Sequence, residues 1–109
     1  MKDGIYRVVF ESNLPAFGEG IVVISDGKVH GGDTGFVCRG RLARPEMELS
    51  ILQYDNELPS VLGRDGDYEL MLKYEKIGDN EYFFIGYVKG DENKVIRGNA
   101  VFITGLLVV

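Results

Sequence analysis

The chain has 109 residues, of which 45% are hydrophobic, 15 are glycine and 3 are proline; this composition predicts one domain over residues 1–109, rich in turns and with a core of its own. A net charge of −5, from 17 acidic and 12 basic residues without an evident basic stripe, argues against direct binding to nucleic acid. The single cysteine cannot form an intrachain disulfide, and no stretch has the pattern of a secretion signal or the ~20 apolar residues that span a bilayer. We therefore expect a cytoplasmic protein that contacts no membrane.

The first half of the chain predicts short β-strands joined by turns. Asp26 and Gly27 form a dipeptide typical of a tight β-hairpin, and Pro45 indicates a turn between two further runs. The β-prone runs lie at 4–12, 18–25, 35–44 and 47–55.

The stretch "KVHGGDTGF", residues 28–36, could be a phosphate-binding loop, a metal site or a bend in a sheet. A phosphate loop of the Walker type ends in Gly-Lys-Ser/Thr and opens a helix, and neither feature is present. His30 and Asp33 could supply two metal ligands, but a catalytic zinc needs three and His30 is the sole histidine. The pattern favours a bend between two strands, with Asp33 accepting backbone hydrogen bonds.

The second half of the chain continues the strand pattern. In residues 67–76, apolar and largely charged residues alternate, as they do in a half-buried strand. The apolar members, expected to form core rather than to line a ligand cavity, are Tyr68, Leu70, Leu72 and Tyr74. Further strands are predicted at 81–90, where Gly86 indicates a bulge or a bend, and one or two more within 94–109, interrupted by Gly98 and Gly105.

One segment, residues 57–66, breaks this pattern. Pro59 and Gly63 could begin and end one short helical turn, too short to cover a sheet. About eight strands without a covering helix must pack against one another or close up, so the fold is a sandwich or an up-and-down barrel.

No residue pattern predicts catalysis, a cofactor or a metal site. Cys38 and His30 could form a nucleophile and base, but a lone cysteine in an apolar strand is more often a small core residue. Glu46 and Glu48 share one strand face by their spacing and would ordinarily be solvated, with partner binding as the alternative. We therefore expect a protein that is not an enzyme.

Three stretches, "MKDGIYRVVFES", "GEGIVVISDGKVHGGD" and "YDNELPSVLGRDGDYELML", resemble the GrlR family of small negative regulators of type III secretion gene expression. Their order and spacing are similar to the family over residues 1 to 90, roughly. The resemblance implies an all-β fold: an antiparallel up-and-down barrel of about eight strands, lipocalin-like, with one short helix and forming a homodimer.

The resemblance also implies a function. The characterised type of member binds a helix-turn-helix transcriptional activator and keeps it from its promoter. Where that type carries a run of acids, this chain has "ARPEMEL". The partner-binding residues expected here are Glu46 and Glu48, then Asp55 and Glu57 on the neighbouring loop. The alternative is a lipocalin-like carrier that binds a small apolar molecule in the barrel.

Overall fold

A computed structural model describes residues 1–14, 16–58, 60, 62–63 and 66–108. The described residues form eight strands and no helix. The strands are β1 (Gly4–Ser12), β2 (Phe17–Ser25), β3 (Lys28–Gly32), β4 (Phe36–Ala43), β5 (Glu46–Gln53), β6 (Tyr68–Gly78), β7 (Glu81–Val88) and β8 (Asp91–Thr104).

The eight strands form one closed antiparallel barrel. Each strand pairs with the next in the sequence, and β8 closes the sheet by pairing with β1 from Ile5 opposite Thr104 to Ser12 opposite Ile96. This up-and-down order confirms the predicted barrel and excludes the sandwich. Closure leaves no free sheet edge among the paired strands, which removes the unpaired backbone groups that an edge would expose to other chains.

The short helix predicted within residues 57–66 is not seen. Residues 59, 61, 64 and 65 lie outside the described part of the chain. In the part that is described, the backbone N–H of Gly63 donates to the Ser60 carbonyl at 3.0 Å, which closes a single turn. Leu62 in this turn is completely buried, so the segment packs onto the barrel through an apolar side chain.

Alternation along the strands separates a buried interior from an exposed outside. In β6, Leu70, Leu72 and Tyr74 are buried while Glu69 and Lys73 are exposed, as the sequence predicts. Hydrophobic burial of this kind contributes about 25 cal/mol for each Å² of apolar surface removed from water. The core therefore lies inside the barrel, along its whole length.

Several inward positions are glycine because neighbouring strands come too close for a side chain. At Gly40, Gly86 and Gly98, a Cβ atom would fall against a backbone carbonyl oxygen of the adjacent strand. At Gly86 the pairing register is continuous, with Gly86 opposite Leu72, so this glycine marks a close approach rather than a bulge. Each such position also leaves the interior without a side chain.

Candidate functional site

Glu46 and Glu48 lie on the outside of the barrel, at the beginning of β5. Both are exposed, while Met47 between them is buried. The predicted orientation is therefore confirmed. Because these residues belong to a strand paired on both sides, their backbone is held in place, and they do not lie in a free loop.

Each of the two glutamates has a cation opposite it on a neighbouring strand. Glu46 faces Lys73 of β6, and Glu48 faces Arg41 of β4. In the described part of the chain, neither carboxylate forms a hydrogen bond or an ion pair. Other exposed acids of the barrel do form ion pairs; Glu19, for example, pairs with Arg7 at 2.6 Å. Both carboxylates are thus available to a partner, although the nearby cations weaken their field.

Asp55 and Glu57 lie at the opposite end of the barrel from Glu46. They follow the last residue of β5, Gln53, and seven residues of strand at ~3.4 Å each separate that end from Glu46 by roughly 24 Å. The Asp55 carboxylate accepts a hydrogen bond from the Glu57 backbone N–H at 3.0 Å. The sequence placed these acids on a loop next to Glu46 and Glu48, but the structure does not bring the two pairs together.

The basic residues cluster more than the sequence suggested. Lys28 lies opposite Arg41, and His30 lies opposite Arg39, on the outer face of β3 and β4. All four are exposed, and none forms an ion pair within the residues that the structure describes. This set, the basic strip, corrects the expectation that the bases are scattered. Antiparallel pairing creates it from residues on two different strands, so alternation within each strand was the only sequence pattern that indicated it.

The glycine stretch contains a bend between β3 and β4, as predicted, but the bend is at residues 33–35, and Gly31 and Gly32 belong to β3. The backbone N–H groups of Gly35 and Phe36 each donate to Asp33 Oδ1 at 2.9 Å. The Tyr54 hydroxyl donates to the Asp33 carbonyl at 2.6 Å, and the Tyr54 N–H donates to the Gly35 carbonyl at 3.0 Å. These bonds fasten the loop after β5 to the bend.

His30 takes part in neither of the sites that the sequence raised. It points outward from β3, whereas Cys38 points into the barrel from the adjacent strand, so the two cannot form a nucleophile and base. Among the described residues, no three His, Cys, Asp or Glu side chains lie close enough to hold a metal ion.

The barrel encloses an apolar cavity of about 310 Å³. Its walls include Tyr68, Leu70, Leu72 and Tyr74, so these residues form core and also line a cavity. The prediction that they form core is confirmed, but side chains do not fill the whole interior. An eight-stranded barrel can be filled by its side chains or hold one small ligand, and this one has room for a ligand.

One end of the cavity is closed by aromatic rings. Tyr82 contacts Tyr6 and Tyr74 edge to face, with ring centroids 6.1 Å and 6.4 Å apart. Burial, together with Tyr82 and Asp3, raises the pKa of Tyr6 to about 12, and its hydroxyl donates a hydrogen bond to the Lys2 carbonyl at 2.7 Å. Burial likewise raises the pKa of Tyr74. These phenols are therefore neutral at physiological pH.

Cys38 faces the cavity with 9% of its surface exposed. Burial, and secondarily the charge of Asp33, raises the pKa of its thiol to about 11. A thiol with such a pKa is protonated at neutral pH, when it is a poor nucleophile. Cys38 thus behaves as an apolar wall residue.

No family model matches the chain, and no curated protein matches it significantly. In the described part of the chain, no helix has the length and apolar character needed to cross a membrane.

Proposed function

We propose that this protein is a cytoplasmic negative regulator that sequesters a helix-turn-helix transcriptional activator, in type III secretion-type regulation. The resemblance to the GrlR family supports this proposal, and the barrel agrees with the fold that the resemblance implies. The observation that carries it is the pair of unpaired carboxylates, Glu46 and Glu48, on a rigid outer strand.

The surface chemistry suits a cationic partner. The DNA-contacting surface of an activator is basic, since it must neutralise phosphates. Glu46 and Glu48, about 7 Å apart at alternate strand positions, can pair with two such side chains at once. Charges of this kind at the rim of an interface accelerate association and fix the register of binding. An activator held in this way cannot use the same surface to bind its promoter.

Capture from the source cell tests this function. The baits are the wild type, the double variant Glu46→Gln with Glu48→Gln, and the control Asp79→Asn with Glu92→Gln, which removes the same charge from two exposed acids that are not candidate site residues. We expect the wild type and the control to retain a helix-turn-helix protein that the first variant loses. If the wild type retains no helix-turn-helix protein, the proposal is contradicted.

We also propose that the protein is a homodimer. Support comes from large apolar side chains exposed on the outer faces of β7 and β8, where Ile85, Tyr87, Val101 and Ile103 are between 38% and 54% exposed. Large apolar side chains exposed on one face of a soluble protein can mark an interface, here with Arg97 and Asn99 lying between the two pairs. A second copy would cover this face and leave Glu46 and Glu48, on β5, free for the activator.

A second candidate function is that of a lipocalin-like carrier, which the cavity favours. A volume of about 310 Å³ is at the lower end of the range of small-molecule sites. Native mass spectrometry of the purified protein should then show a bound small molecule. Ala100 lines the cavity while its neighbour Val101 points outward, so Ala100→Phe should abolish binding and Val101→Phe should not.

A further inference from the structure

The mouth of the cavity is lined largely by backbone. Gly18 and Gly20 contribute to it from β2, and Gly32 and Gly35 contribute from either side of the bend between β3 and β4. Phe17, which is 79% exposed, lies beside this opening. The lining residues extend to this end of the barrel, opposite the tyrosine rings, so the cavity is accessible from here.

The charge at this mouth is negative. Asp33 lies at the rim, fixed by its two backbone hydrogen bonds, and no cation pairs with it among the described residues. Asp55 and Glu57 lie on the loop that Tyr54 fastens to the same rim. The described part of the entrance is therefore acidic.

The cavity walls offer no positive side chain to an anion. None of the described lining residues is lysine, arginine or histidine. Glu19, the other charged lining residue, pairs with Arg7 at 2.6 Å. The Met1 amino group is at the closed end, where burial, Arg44 and Lys76 lower its pKa. A carboxylate at the mouth would therefore lie beside Asp33, with no lysine, arginine or histidine among the described lining residues to pair with it.

We propose that the cavity binds a small amphiphile with an apolar body and a neutral or cationic polar end, and that it discriminates against a carboxylate at that end. This inference rests on the carrier candidate above and names the class of ligand. A volume of about 310 Å³ corresponds to about ten water-sized groups at ~30 Å³ each, so the ligand has roughly ten non-hydrogen atoms.

The electrostatics of the wall agree with this selectivity. The apolar body would contact Leu70, Leu72 and their neighbours, while the polar end would remain at the mouth beside Asp33. An anion there meets a like charge, whereas an ammonium meets an opposite one, in a region where the low dielectric strengthens both effects. The negative charge of Asp33 also affects Cys38, because it adds to the effect of burial in raising the pKa of the thiol.

Calorimetric titration with 1-octanol, octylamine and octanoate at pH 7 tests the proposal, since the three differ mainly in their polar end. For the wild type we expect octanol and octylammonium to bind, and octanoate to bind at least tenfold more weakly than octanol. Asp33→Asn keeps the Oδ1 acceptor for both backbone N–H groups and removes the charge. It should therefore reduce the ratio of octanol affinity to octanoate affinity at least threefold.

Asp67→Asn is the matched control. The Asp67 carboxylate also accepts a backbone hydrogen bond, from Gln53 at 3.0 Å, but Asp67 does not line the cavity. This variant should leave the ratio of octanol affinity to octanoate affinity unchanged. The inference is overturned if octanoate binds as tightly as octanol. It is also overturned if Asp33→Asn does not reduce the difference in affinity between the two ligands. In both cases the carrier candidate remains. If the folded protein binds none of the three, both the carrier candidate and the inference fall.

Discussion

Replacing Gly86 with alanine should destabilise the barrel, because this inward position has no room for a methyl group. A Cβ on Gly86 would fall against the Met71 carbonyl oxygen and lie 2.7 Å from Leu72 Cδ2 and 2.8 Å from Leu72 Cα. Two of these neighbours are backbone atoms of a strand paired on both sides, so neither can move aside without breaking the pairing.

The magnitude follows from two opposing effects. Overpacking a tight interior destabilises by about 1–3 kcal/mol. The lower chain entropy of the unfolded alanine variant offsets about 0.4–1 kcal/mol of this. We therefore expect a net loss of about 1–2 kcal/mol in the free energy of unfolding, or about 4 °C of melting temperature for each kcal/mol.

Urea and thermal unfolding, followed by tyrosine fluorescence or circular dichroism, measure this loss. The control is Gly105→Ala, since a Cβ at Gly105 would meet no atom within 4 Å; it should change stability by less than about 0.5 kcal/mol. If the two variants are equally stable, the close approach of β6 to β7 at Gly86 is not as described.

Three further predictions concern association and titration. Sedimentation should show a dimer that Ile85→Glu with Val101→Glu converts to a folded monomer; a monomeric wild type refutes the homodimer. Gel shifts with promoter fragments should show no discrete complex despite the basic strip, because the net charge of −5 opposes a long polyanion; a sequence-selective shift at physiological salt contradicts this. Because the pKa of Cys38 rises from 9.0 to about 11 on folding, its contribution to stability is fully present below about pH 9 and is lost as the pH rises to about 11. The difference in unfolding free energy between wild type and Cys38→Ala should shrink over that range, and a constant difference refutes the assignment.

The strands were largely predictable because half-buried strands alternate. Residues 67–76, for example, correspond closely to β6 (Tyr68–Gly78). The length of β8 was less clear, because Gly98 suggested an interruption where the structure has one continuous strand. Gly98 faces inward against β1, and a single sequence does not distinguish such a glycine from a strand break.

The cavity and the basic strip were not predictable from single strands. The cavity is lined by residues of several strands, and only the closed barrel order shows that they face the same space. Similarly, Lys28 and Arg41 become neighbours through the pairing of β3 with β4. The large distance between Glu46 and Asp55 could have been predicted from the sequence, because a strand of the predicted length necessarily spans the barrel.

The most direct test of the proposed regulatory function is the association rate of the purified protein with the captured activator, measured at low and at physiological ionic strength. The wild type is compared with Glu46→Gln, Glu48→Gln and with the charge reversal Glu46→Lys, Glu48→Lys. We expect the rate to fall in that order, with the largest differences at low salt, because screening weakens the attraction of exposed charges. Each variant should remain folded. The charge reversal puts a lysine at position 48 opposite Arg41, which lowers the free energy of unfolding by about 0.2–1 kcal/mol. Equal rates for all three proteins at both ionic strengths would contradict the assignment of the activator site to this face of β5.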